Sequence, residues 1–153
     1  MSDVSAQAWI LAFGNRRVAA VGLHELVEVL SRPKLYHVPM AGARCYQVLV
    51  WRDEILPVVS FGADARSEAD DARYRAAVTA IAVYQTVPGE ALRHGALQLS
   101  VMPKTATVAD NMACALSDCH SPMSDFAISC FSYENTAVPV IDLTRVFERA
   151  PRL

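Results

Sequence analysis

The sequence predicts a mainly β protein made of two small β barrels packed on each other, and three observations predict it. Short runs rich in valine, isoleucine and aromatic residues alternate with turn residues along the chain. One run, Ile55-Leu56-Pro57-Val58-Val59-Ser60-Phe61, recurs as Ala137-Val138-Pro139-Val140-Ile141-Asp142-Leu143, its prolines 82 residues apart. Two copies are too few for a solenoid and suit two similar units. Between them lies a charged, small-residue stretch, Gly62 to Arg75, with four acids and three arginines, which reads as an exposed connector.

Each element follows from local pattern. Trp9, Leu11 and Phe13 alternate as one face of a first strand, Gly14-Asn15 offers a turn, and Val18–Val21 returns as a second. Leu23–Leu30 places apolar residues at 23, 26, 27 and 30, which predicts one or two helical turns, although Val27-Glu28-Val29 also fits a strand. Tyr46–Trp51, Arg52-Asp53-Glu54 and Ile55–Val59 read as a hairpin, with Pro57 predicting an edge position or a bulge. In the second half, strands are expected at Ala77–Tyr84, Leu97–Met102 and Phe126–Phe131. The four-residue recurrence of Val108, Met112 and Leu116 predicts a helix over Thr107–Ser117. Tyr133–Thr136 turns the chain into Ala137–Ile141, and Asp142 can cap a last helix through Phe147.

Composition excludes several classes. The 153 residues are 53% hydrophobic and 20% charged, enough to bury a core. A net charge of −2 supplies no long-range attraction to nucleic acid or anionic lipid. Basic pairs such as Arg16-Arg17 and Arg73-x-Arg75 are few, so no nucleic-acid partner is expected. The opening MSDVSAQAW carries no basic region before an apolar stretch, and the charge-free run Ala76–Gly89 is too short to span a bilayer. A cytoplasmic protein with reduced cysteines is the expectation.

Reaction chemistry is not where the sequence points. The glycines at 14, 22, 42, 62, 89 and 95 form no phosphate-binding loop, which implies no nucleotide cofactor. Cys114, Cys119 and His120, with Cys130, are the strongest metal or Cys–His catalytic candidates, yet neither C-x-x-C nor H-x-x-x-H occurs. Buried thiols of a core are the simpler reading, with no metal and no cofactor expected. Two charges stand out instead. Glu28 sits among Leu26, Val27, Val29 and Leu30, and Arg52 follows the apolar run ending at Trp51. They are expected either to pair across the structure or to face solvent on amphipathic elements.

In this order the residues resemble the CheW-like domain, the coupling module of bacterial chemosensory arrays. The resemblance rests on Leu26-Val27-Glu28-Val29, on Val38-Pro39 and on Gln47-Val48-Leu49-Val50-Trp51-Arg52-Asp53-Glu54-Ile55-Leu56-Pro57-Val58-Val59, closing with Val138-Pro139-Val140-Ile141-Asp142-Leu143. It departs where the family has two glycines (here Gln47 and Asp53), an asparagine (Val50) and the first aspartate (Ser60). The resemblance implies one domain over residues 1–153: two five-stranded SH3-like barrels, over about 8–62 and 76–148, joined by the connector at about 62–75. It further implies a non-catalytic adaptor that binds the regulatory domain of a CheA-type histidine kinase and the hairpin tip of a methyl-accepting chemoreceptor, in chemotaxis or type IV pilus twitching. Residues carried over to partner binding are Leu26, Glu28, Val29, Gln47, Val48, Arg52 and Asp53. The lost glycines motivate a second expectation, a domain of this kind without receptor coupling that docks another motility component.

Overall fold

The computed structural model describes residues 4–14, 17–38, 47–61, 78–118 and 122–148. Eleven strands are present among them: β1 Ser5–Ala12, β2 Val18–Gly22, β3 Leu26–Ser31, β4 Tyr36–His37, β5 Gln47–Trp51, β6 Glu54–Val59, β7 Val78–Tyr84, β8 Arg93–Leu99, β9 Lys104–Ala109, β10 Ala127–Tyr133 and β11 Thr136–Ile141. One helix, α1, spans Leu143–Glu148, and single 3₁₀ turns occupy Leu23–Glu25, Asp110–Met112, Leu116–Asp118 and Pro122–Phe126.

The strands form a five-stranded sheet, β10-β11-β2-β1-β9, and a six-stranded one, β3-β7-β8-β6-β5-β4. Neither sheet is made from one half of the chain. The opening hairpin β1–β2 joins the later strands β9, β10 and β11, while the later hairpin β7–β8 joins β3, β5 and β6. The two halves have exchanged their first hairpins. The register shows the exchange residue by residue. Across the first sheet runs the row Ser129–Val140–Ala20–Ile10–Lys104, and across the second runs Gln47–Val58–Ala96–Ile81–Glu28. Ser129 and Val140 lie 82 residues after Gln47 and Val58, the offset of the sequence repeat. The units expected over 8–62 and 76–148 therefore do not coincide with the sheets, because strand pairing crosses between halves.

Among the described residues, three apolar clusters hold this arrangement. The largest lies between the sheets, where Leu11, Phe13, Ala19 and Val21 meet Ala80, Ala82, Leu97 and Leu99 beside Met123, Phe126 and Phe147. The six-stranded sheet curls round Leu49, Trp51, Leu56, Val58, Ile81 and Ala96. The other curls round Ala20, Phe131 and Val138, with Ile10, Tyr133 and Val140 half-buried against them. Phe131, Tyr133, Val138 and Val140 are the repeat partners of Leu49, Trp51, Leu56 and Val58.

Four expectations change. Pro57 is not at an edge, since β6 pairs with both β5 and β8. It is tolerated because pairs alternate away from a two-residue turn, so Val48/Pro57 is a non-hydrogen-bonded pair, and the ladder to β8 is registered only from Val58. Pro139 repeats this, opposite Cys130 and one residue before the Val140–Ala20 contact. Leu23–Leu30 is a single 3₁₀ turn followed by β3, because β-branched Val27 and Val29 lie along the edge of β7. Thr107–Ser117 is not a helix: Thr105, Thr107 and Val108 extend along β1, and two 3₁₀ turns follow. The strand expected at Leu97–Met102 is β8, which starts earlier because Arg93 pairs with Tyr84 and ends at Leu99. The connector at 62–75, Pro39, Cys119 and His120 lie outside the described residues. The final helix forms where expected, with Asp142 Oδ1 accepting the Thr144 amide at 3.0 Å.

Candidate docking surface on the β5–β6 hairpin

The hairpin turns through Arg52 and Asp53, whose φ angles of 46° and 66° are both left-handed. Trp51 pairs with Glu54 across this two-residue turn, the arrangement that follows the right-handed twist of the flanking strands. Alternation then sorts the side chains. Leu49, Trp51, Leu56 and Val58 point into the sheet's own cluster. Val48, Val50, Ile55 and Pro57 point outward, joined by Tyr36 of β4, which pairs with Val48. Val50 and Ile55 stand directly opposite each other at 58% and 65% exposure. Two β-branched residues so exposed at a non-hydrogen-bonded pair, with Tyr36 beside them, make an apolar stripe with no cover among the described residues. Lys34 borders it, its Nζ 5.2 Å from the centre of the Tyr36 ring.

The charges beside the stripe are tied down. A bulge lies between Leu26 and Glu28, so Leu26 faces Ala82 and the central cluster whereas Glu28 stands opposite Ile81 at the barrel mouth. From there Glu28 Oε2 accepts a hydrogen bond from Trp51 Nε1 at 2.8 Å. This contact joins strands four places apart in the sheet, which is possible only because the sheet curls. Arg52 stacks over the Trp51 ring at 4.4 Å and sets one guanidinium nitrogen 3.7 Å from the same carboxylate oxygen. The two charges singled out in the sequence therefore meet, through one contact rather than a fork. On the far side of Trp51 its ring tilts against His94 at 4.9 Å, and His94 Nδ1 lies 3.8 Å from Glu54 Oε2.

Of the residues carried over to partner binding, Val48, Arg52 and Asp53 share the hairpin, and Glu28 reaches its tip. Leu26 and Val29 do not join them: Val29 pairs with Ala80, so both look toward the central cluster. Gln47 falls on the inner side of β5, opposite buried Val58. Tyr36, Val50 and Ile55 escaped the sequence reading of the site, although strict alternation on either side of Arg52-Asp53 marks the latter two as outward. Cys114 and Cys130 are adjacent, and among the described residues no three side chains of metal-binding type converge.

Among the described residues, burial perturbs Glu25 and Tyr84. Glu25 is held above the ordinary glutamate range by desolvation and by nearby Asp142, only partly offset by the Gly22 amide donating to its Oε1 at 2.7 Å. Tyr84, stacked on Phe147 at 5.1 Å, is raised by desolvation and by Glu148, against the lowering effect of Arg93. No helix of the described residues is long and apolar enough to cross a membrane.

No protein-family model and no curated protein sequence matches this chain. Among solved structures, it is similar to the scaffolding protein TtCheW from Thermoanaerobacter tengcongensis, with a TM-score of 0.71 over 95% of this chain and 94% of that one. The two sequences are 13% identical over this match. The exchange of hairpins, the two sheets and the closing helix thus make up a CheW-like fold, carried by a sequence with little identity to that structure's.

Proposed function

We propose that the chain is a non-catalytic adaptor of bacterial chemosensory signalling. In this reading the outward stripe of β5–β6 docks the regulatory domain of a CheA-type histidine kinase, and the same molecule couples that kinase to a chemoreceptor tip. The observation that carries it is the uncovered Val50–Ile55 pair on a hairpin whose tip is braced by the Arg52–Trp51–Glu28 contacts. Apolar burial of such a stripe contributes at about 25 cal/mol per Å², while Arg52, Asp53 and Glu54 set orientation. A stable interface needs about 800 Å² per partner, so the stripe supplies the centre of the contact and flanking loops supply its rim. A shared rigid geometry then lets a shift in the receptor bias the states of the kinase. The departures at Gln47, Val50, Asp53 and Ser60 extend the proposal to type IV pilus systems.

Calorimetric titration with the kinase regulatory domain tests this. Binding that weakens at least tenfold in Ile55→Asp, with the melting temperature unchanged, supports the reading. Undiminished binding by Ile55→Asp removes the stripe from the interface, and absence of binding to kinase and receptor alike removes the role. A second reading, docking without receptor coupling, rests on the side chains that replace the family's glycines. Asp53 keeps the left-handed turn without glycine, so the hairpin shape survives and only its surface differs. Restoring glycine at 47 and 53 without gaining receptor binding would favour that second reading.

A further inference from the structure

After β9 the chain makes one 3₁₀ turn, and Ala113 then forms an isolated antiparallel bridge with Phe131 of β10. The next residue along, Cys114, is therefore opposite Cys130, and the Cys114 amide donates to the Cys130 carbonyl at 3.1 Å. Alternation along the β10–β11 hairpin explains why that carbonyl is available. Cys130 and Pro139 form a non-bonded pair, so the backbone groups of Cys130 point away from β11 and toward this strap. Opposed residues of a hydrogen-bonded antiparallel pair have Cα atoms about 5.5 Å apart. Disulfides span Cα separations of about 4.4–6.8 Å. Both residues are in the thiol form, Cys114 half-buried and Cys130 buried.

We propose that Cys114 and Cys130 are a thiol–disulfide couple that closes under a peroxide-class oxidant and reopens with a thiol reductant. The half-buried Cys114 meets the oxidant first. Its deprotonated Sγ attacks one peroxide oxygen, the O–O bond breaks, and the leaving hydroxide takes a proton to become water. The Cys130 sulfur, its proton lost, then attacks the Cys114 sulfenic sulfur. The S–S bond forms, the S–O bond breaks, and the departing hydroxide takes up a proton. Two thiols have lost two electrons and two protons, and hydrogen peroxide has become two waters. The staple encloses the loop carrying the Pro122–Phe126 turn, whose Met123 and Phe126 sit in the central cluster. Oxidation therefore fastens the strap at 110–118 to the edge of β10 and restrains a loop that feeds the core.

The test uses the full chain and hydrogen peroxide at one equivalent, with Cys45→Ser and Cys119→Ser combined to remove the competing thiols. Non-reducing peptide mapping should recover a linked Cys114–Cys130 pair lighter by two hydrogens. The melting temperature should rise by roughly 5–10 °C, as expected for closing a loop of this length, and return with dithiothreitol. Adding Cys114→Ser, at the less buried site, should abolish both effects. The same map on the unsubstituted chain guards against a misfolded variant. Cys114 pairing with Cys119, links between copies, or a thiol pair that stays unlinked while Cys114 proceeds to sulfinic acid would each overturn the proposal.

Discussion

Asp53 shows at residue scale how a tight turn is held by a residue that carries a side chain. A left-handed φ of 66° costs a side chain free energy that glycine avoids, although aspartate tolerates it better than most residues. Asp53→Gly is therefore expected to stabilise the fold by about 0.5–1 kcal/mol, read as a higher denaturation midpoint with an unchanged slope. Arg52, at φ 46°, would not gain in the same way, because glycine there gives up the stack on Trp51 and the contact with Glu28. Glu25 sets a pH dependence. Its folded value is raised, so the native state holds its proton more tightly than the unfolded chain does. That contribution is complete in acid and is lost as pH rises through the folded value. Glu25→Gln keeps an oxygen facing the Gly22 amide and removes the titration. Denaturation series from pH 4 to 7 should show the parent losing stability relative to this variant as pH increases.

Elements were legible where pattern and pairing agree. The β5–β6 and β10–β11 hairpins could be read because alternation surrounds a short polar turn, and both turns place two non-glycine residues at positive φ: Arg52 and Asp53, then Glu134 and Asn135. The stretch after β9 misled because Val108 and Met112 do share a cluster, as a helix would require. They reach it from a strand and a 3₁₀ turn, however, and Leu116 is left exposed. In Leu23–Leu30 the bulge at Val27 breaks the period-two signal that would have identified β3. The closing helix is too short to persist alone and depends on buried Leu143, Val146 and Phe147 and on its cap. Asp142→Ala should cost about 1 kcal/mol in thermal or chemical unfolding, whereas Asp142→Asn should retain most of the stability.

At the scale of the whole molecule, the 82-residue repeat was visible in sequence but the exchange of first hairpins was not. The exchange is decided by which half each hairpin pairs with, and no local pattern encodes that choice. Its consequence is physical: every sheet needs strands from both halves, and the largest apolar cluster lies between the sheets. Residues 1–77 and 78–153 made separately should each lack a cooperative unfolding transition, and mixing them should restore strand content by circular dichroism. A fragment that melts cooperatively by itself would contradict this coupling. Of the docking site, Arg52 and Glu28 could be found as charges among apolar neighbours, while the stripe beside them emerged only once register had assigned Val50 and Ile55 to the outer face.

Chemical-shift mapping locates the docking surface residue by residue, with the kinase regulatory domain titrated into the isotope-labelled chain. The expected result is that amides of β4 and of residues 48–56 shift first and furthest, with Val50 and Ile55 among them. Perturbations confined to the opposite sheet, leaving those amides unmoved, would contradict the account.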